Sequence, residues 1–256
     1  MPFDFTQRKA LVCGASQGIG RAVSHLLASG GAQVTVVARR EDVLQSLIQE
    51  LPGEGHDFIA VDLSDTEELK NILTIKDMDY DILVCNAGGP PAGPISTAHE
   101  EDYLTAFKTH VIANSILFQA VFPHMKQNEF GRVINIISTS VKAPIPNLGV
   151  SNTIRAAVAS WAKTLSLEVG EYNITVNNVL PGYTETPRLE ALLKKASERS
   201  GESVEETASS WKGKVPLKRF ASAEEVAHGV VFLASQQAGY ISGINLPVDG
   251  GRTASL

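Results

Sequence analysis

The chain has 256 residues, 43% of them apolar and 20% charged, and its 22 basic and 28 acidic side chains give a formal charge of −6. This composition excludes a disordered chain, a fibre and a coiled coil, supplies enough apolar residues for a sizeable core, and argues against binding driven by nucleic-acid phosphates. No apolar run reaches the roughly 20 residues of a membrane span, and the N-terminus lacks a basic region followed by a long apolar stretch, so a soluble, cytoplasmic protein with no membrane partner is expected.

The first apolar run, Ala10–Cys13, is followed by Gly14-Ala15-Ser16-Gln17-Gly18-Ile19-Gly20 and a helical pattern over Ile19–Ala28. Glycines between a strand and a helix permit a tight turn and let the backbone approach a pyrophosphate, which then sits at the helix N-terminus. The next run, Val34–Ala38, ends on Arg39-Arg40. An acidic residue near this point would accept from the ribose 2′-hydroxyl of an unphosphorylated dinucleotide; two guanidinium groups suit a 2′-phosphate instead. The reading is NADP(H) in preference to NAD(H), against the plainer one of two solvated arginines at a strand end.

Further along, helical patterns at Glu41–Glu50, Thr66–Leu73, Glu100–Lys126 and Asn152–Val169 alternate with apolar runs at Phe58–Val61, Ile82–Cys85, Val133–Ile137 and Thr175–Leu180. Apolar residues run continuously in these strands, as in a parallel sheet buried on both faces, and the alternation predicts a doubly wound α/β fold with helices on both sides. Between Pro187 and Lys218 the composition turns to Glu, Lys and Ser, which reads as one or two helices inserted before a last helix, Ser222–Ala234, and a last strand near Asn245–Val248. At that place an insertion can cover a ligand at the carboxyl ends of the strands, or be an ordinary solvated excursion. The two cysteines, Cys13 and Cys85, lie in apolar runs and read as buried thiols, and the six histidines show no metal-ligand spacing, so no metal is expected.

These motifs, in this order, resemble the short-chain dehydrogenases/reductases, in particular the 3-oxoacyl-carrier-protein reductases. Gly14, Gly18 and Gly20 match the family's glycine motif, although Cys13 stands where threonine is usual. The resemblance assigns Asp62 and Leu63 to the adenine, and Asn86-Ala87-Gly88 to the family's motif after the fourth strand, bordering the cofactor. It assigns Pro181-Gly182 with Thr184 and Thr186 to the nicotinamide, and Pro247-Val248-Asp249-Gly250-Gly251 to the closing strand and turn. It implies a single NAD(P)-binding Rossmann domain over residues 1–256 with a helical substrate lid at about 187–218. The implied sheet is seven-stranded and mostly parallel, in the order 3-2-1-4-5-6-7, and the implied assembly is a homotetramer or homodimer.

The catalytic end departs from the family pattern of Asn, Ser, Tyr and Lys. Alignment on the fifth strand places the serine at Ser138, but Ser151 stands at the tyrosine position and Arg155 at the lysine position. His110 falls on the asparagine position, with Asn114 one turn further along as a shifted substitute. Hydride delivered to a carbonyl carbon leaves charge on oxygen, which needs a proton or strong donors. Tyrosine can give that proton, whereas Ser151 can only donate a hydrogen bond, and Arg155 stays charged at neutral pH. Arg155 can stabilise an oxyanion, hold ribose hydroxyls or meet a substrate carboxylate. Lys142, four residues beyond Ser138, reads either as a proton donor or anion anchor or as a solvated loop lysine. His110, with an unperturbed pKa of about 6.5, reads as an acid–base group or as a histidine satisfied in helix packing. Two functions follow: a reductase passing hydride from NADP(H) to a small-molecule carbonyl or conjugated enone through Ser138, Ser151, Arg155 and Lys142, or a cofactor-binding sensor or partner subunit with little turnover.

Overall fold

The structure, a computed structural model, describes residues 3–255. Seven strands form one sheet: β1 (Lys9–Cys13), β2 (Gln33–Ala38), β3 (Asp57–Ala60), β4 (Ile82–Cys85), β5 (Gly131–Ile136), β6 (Ile174–Pro181) and β7 (Asn245–Val248). Their order is β3-β2-β1-β4-β5-β6-β7, as the resemblance implies, and every neighbouring pair is parallel rather than mostly so.

The unbroken apolar runs are explained by two cores, one on each face of the sheet. Successive residues of a strand point to opposite faces. Ala10, Val12, Val34, Val36, Ile82 and Val84 therefore pack with α1 (Gly18–Ser29), α2 (Glu41–Glu50) and α9 (Ala223–Ala234). Leu11, Cys13, Val37, Leu83 and Cys85 pack on the other side with α3 (Thr66–Ile75), α5 (Ala113–Gln127) and α6 (Gly149–Val169). Both cysteines are buried free thiols, and burial pushes the Cys13 thiol up to about 12.

The single helix expected over Glu100–Lys126 is divided: α4 (Glu100–Phe107) passes through a wide π-turn, Lys108–Ile112, into α5. The turn holds one residue more per hydrogen-bonded ring than an α-helix, and His110 within it is buried. Apolar periodicity cannot report such a turn, because the pattern continues on both sides.

The region after β6 forms two helices, α7 (Pro187–Ser200) and α8 (Val204–Gly213). Thr186 caps α7 ahead of Pro187, and Ser203 with Glu206 makes a capping box for α8. The pair rests on its own apolar cluster, in which Tyr183 stacks on Trp211 at 4.8 Å and meets Phe220 edge-on at 5.8 Å. Among the described residues, no helix is long and apolar enough to cross a membrane, and no group of three His, Cys, Asp or Glu side chains could hold a metal ion.

Candidate active site

The chain reverses its direction of travel across the sheet between β1 and β4, so the loops at their carboxyl ends part and leave a crevice. On one side of it lies the glycine turn. A Cβ on Gly14 would stand 2.7 Å from the Asn86 side-chain nitrogen and carbonyl oxygen, and one on Gly20 would stand 2.3 Å from the Gly14 oxygen. Those two glycines let the turn press against Asn86, whose Nδ2 donates to the Gly14 carbonyl at 3.3 Å. Gly18 has a left-handed φ of 56° and its missing side chain faces Thr186 across the crevice. Gln17 occupies the N-cap of α1 without making a side-chain cap bond, so the first-turn N–H groups of Gly18 and Ile19, with those of Ser16 and Gln17 just ahead of them, face the opening without a side-chain cap. The fit to a dinucleotide diphosphate is good, since such N–H groups and the helix dipole favour an anion.

Arg39 and Arg40 diverge from the end of β2. Arg39 reaches Asp62 at 3.7 Å and Arg40 reaches the Gln17 side chain at 3.5 Å, both remaining exposed. They thus flank the opening between the glycine turn and the end of β3, where Asp62 and Leu63 stand. Burial works against the charge of Asp62, yet donation from Ser64 and Arg39 holds its carboxyl below the usual range.

The loop after β4 is gripped by three side chains. Arg155 Nη2 donates to the Ala87 carbonyl at 3.4 Å, His110 Nε2 to Gly88 at 3.1 Å and Arg188 Nη2 to Pro90 at 2.9 Å. Arg155 Nη1 also donates to the Ile136 carbonyl at 3.0 Å, tying the ends of β4 and β5 together. Two of these residues, Arg155 and His110, are ones the sequence count singled out. The third, in the first turn of α7, lay in a segment whose composition singled out no residue. Because a carbonyl can only accept, His110 carries its proton on Nε2. Burial, and next the Arg155 charge, pull its pKa from 6.5 down to about 2. The acid–base reading of His110 is therefore replaced: a neutral imidazole that holds Gly88 supplies no proton at neutral pH. Arg155 is lowered to about 10 by burial and by Arg188, and stays charged at neutral pH.

Ser138 follows β5 in extended conformation, and its Oγ accepts from the Ser140 amide at 3.0 Å, which leaves its hydroxyl hydrogen to donate elsewhere. Ser151 and Arg155, four residues apart, share the inner face of α6, and both are buried. Lys142 closes the short turn Thr139–Val141 and is half-buried. A residue not found from the sequence, Arg252, comes in from the C-terminal segment, lies over the Tyr183 ring at 4.3 Å and donates to Thr139 Oγ1 at 3.4 Å. Asn114 is buried on α5. Its amide opens a buried ladder in which Asn114 donates to Asn135, Asn135 to Asn178 and Asn178 to Asn245, at 3.2, 2.9 and 2.8 Å. The ladder links α5 to the three strands beneath the site. Pro181 ends β6, and Gly182, Thr184 and Thr186 follow it, with Thr184 fixed by its bridge to Ala221.

A family model described as Enoyl-(Acyl carrier protein) reductase matches residues 14–253. The chain is 35% identical over 250 residues to the 3-oxoacyl-[acyl-carrier-protein] reductase FabG of Rickettsia conorii, covering 97% of this chain and 98% of that one. The chain belongs to the short-chain dehydrogenase/reductase family. Within this oxidoreductase family it is also 32% identical to the NADPH-dependent reductase BacG of Bacillus subtilis, over 98% of this chain and all of that one. Its fold superimposes on L-sorbose reductase from Gluconobacter frateurii, solved with NADPH and L-sorbose, with a TM-score of 0.91, 31% identity and full coverage of both chains. As a short-chain dehydrogenase/reductase, the protein carries the seven-stranded parallel sheet in the order β3-β2-β1-β4-β5-β6-β7.

Proposed function

We propose that the protein is an NADP(H)-dependent reductase of a small molecule whose site stabilises developing charge on oxygen by donation rather than by a tyrosine proton. What supports this reading is an open glycine turn together with Ser138 just beyond β5 and with Ser151 and the cationic Arg155 on the inner face of α6. Gly14, Ser16, Gln17, Gly18, Ile19 and Gly20 would hold the diphosphate, with Arg39 and Arg40 on the 2′-phosphate. Asp62 and Leu63 would take the adenine, Asn86, Ala87 and Gly88 the riboses, and Pro181, Gly182, Thr184 and Thr186 the nicotinamide. Bound there, the cofactor supplies the hydride.

The residues of the chain then decide which acceptor is reduced. Ser138 and Ser151 donate to the acceptor oxygen and Arg155 adds positive charge near it, but none is an acid matched to neutral pH. An unactivated ketone needs such an acid as its alkoxide forms. A conjugated enone does not: hydride goes to the β-carbon, the C=C pair shifts to the bond between the α-carbon and the carbonyl carbon, the C=O pair moves to oxygen as an enolate, and water protonates the α-carbon afterwards. We therefore favour an enone over a ketone, with α7 and α8 as the lid. Loss of a single oxyanion donor costs roughly 10²–10³ in rate, so Ser138→Ala should fall by about that factor.

The test follows NADPH consumption over matched cyclic ketones and enones, with products identified by NMR. Saturated ketone formed faster than alcohol supports the reading, and brisk conversion of 3-oxoacyl thioesters to alcohols refutes it. NADPH binding with no turnover on any acceptor would favour the sensor or partner subunit.

A further inference from the structure

Arg155 and Arg188 are far apart in sequence and approach the crevice from opposite walls, one on α6 and one in the first turn of α7. They converge over Gly89. A Cβ placed on Gly89 would lie 3.2 Å from Arg188 Nη2 and 3.7 Å from Arg155 Nη2, so both guanidinium tips point at the same small volume, which this residue leaves open. Among the described residues, neither has a carboxylate within ion-pairing distance; the arginine pairs lie elsewhere, at Arg8–Asp81, Arg21–Glu50, Arg39–Asp62 and Arg219–Glu225. Each guanidinium has five N–H donors. The backbone carbonyls of Ile136 and Ala87 take two from Arg155, and Pro90 takes one from Arg188.

Two like charges held close together, Arg155 buried and Arg188 half-buried, are costly unless an opposite charge joins them. The position of Arg188 sharpens the point, because a cation in the first turn of a helix faces the positive end of its dipole. Burial lowers both guanidinium groups, and the charge of Arg188 lowers Arg155 further. Hydrogen bonds to neutral carbonyls fix where the tips point without cancelling their charge.

We infer that Arg155 and Arg188 form an anion subsite over Gly89, built to take the oxygens of a carboxylate or phosphoryl group. The planar forks suit two-point contact with such an anion. Two sources offer that chemistry inside this crevice: a carboxylate on the substrate and the diphosphate of the cofactor. The inference rests on the reductase reading for the identity of these sources, but the subsite itself stands on the geometry.

The test uses the full chain with Arg188→Met and Arg188→Lys, each checked by circular dichroism and thermal melting. Arg155 is left in place because it ties two strand ends. Pyrophosphate and NADPH are titrated calorimetrically into cofactor-free protein, and benzoate and benzamide into protein saturated with NADP⁺. Roughly tenfold or greater loss of benzoate affinity in Arg188→Met, with benzamide unchanged and Arg188→Lys in between, places a substrate carboxylate at the subsite. The same loss confined to pyrophosphate and NADPH places the cofactor diphosphate there. Wild-type affinities for all four probes in Arg188→Met overturn the inference. Failure of wild-type protein to bind NADPH overturns the reductase reading instead, and the pyrophosphate titration still judges the subsite.

Discussion

Replacing His110 with glutamine tests the electrostatics at the heart of the crevice without touching the reaction. The imidazole is buried, donates to Gly88 and sits beside the Arg155 charge, so its pKa falls from 6.5 to about 2 on folding. The folded state therefore resists protonation that the unfolded chain accepts freely. Stability from this residue is fully present above pH 6.5 and is lost as the pH falls from there toward 2, by about 1.4 kcal/mol per unit once well below 6.5. Between pH 7.5 and 5.0 the loss comes to about 2 kcal/mol. The glutamine of the His110→Gln variant can still donate to Gly88 but has no proton to gain, so stability of the variant should fall less over the same interval by that amount. Urea unfolding of both proteins at several pH values measures the difference directly, since the other titrating groups are common to both. A difference below about 0.5 kcal/mol would show that His110 is solvated or already relieved of its charge conflict, and the neutral clamp would have to be abandoned.

Arg39→Ala and Arg40→Ala should each lower NADPH affinity while leaving NADH affinity nearly unchanged; charge-assisted bonds of about 1.5–3 kcal/mol set the ratio change at roughly tenfold or more, and parallel fluorescence titrations read it. Gly18→Val should abolish NADPH binding. Because φ at Gly18 is 56° and its Cβ would lie 3.0 Å from Thr186, it should also lower the melting temperature, and a variant that binds NADPH normally would remove the turn as the phosphate cradle. Asn135→Leu breaks the amide ladder in the middle and strands the Asn114 amide and the Asn178 carbonyl, which should cost about 1–3 kcal/mol for each orphaned group in urea unfolding. The double change Ser151→Tyr with Arg155→Lys restores the family pair and should raise ketone reduction over the parent, measured as alcohol formed per NADPH consumed. An unchanged rate would mean that something other than the missing acid limits the reaction.

Strands, helices and their order could be read from the chain because burial on both faces writes itself into sequence as unbroken runs such as Ala10–Cys13 and Ile82–Cys85. The glycine turn was legible for a similar reason: a strand must hand over to a helix at a point where side chains do not fit, and only glycine allows it. The expectation that Ser151 and Arg155 stand where the family has tyrosine and lysine needs only a count from Ser138. What those side chains touch is decided by tertiary structure alone. Arg155, His110 and Arg188 meet at the carbonyls of residues 87, 88 and 90, brought there from a long helix, a π-turn and the start of α7. Side-chain charge depends on burial and on neighbours distant in the chain, so the shift of His110 and the convergence of two guanidinium groups over Gly89 leave no local trace. A periodic pattern reports which face of an element is buried, but not which side chains from other elements are buried against it.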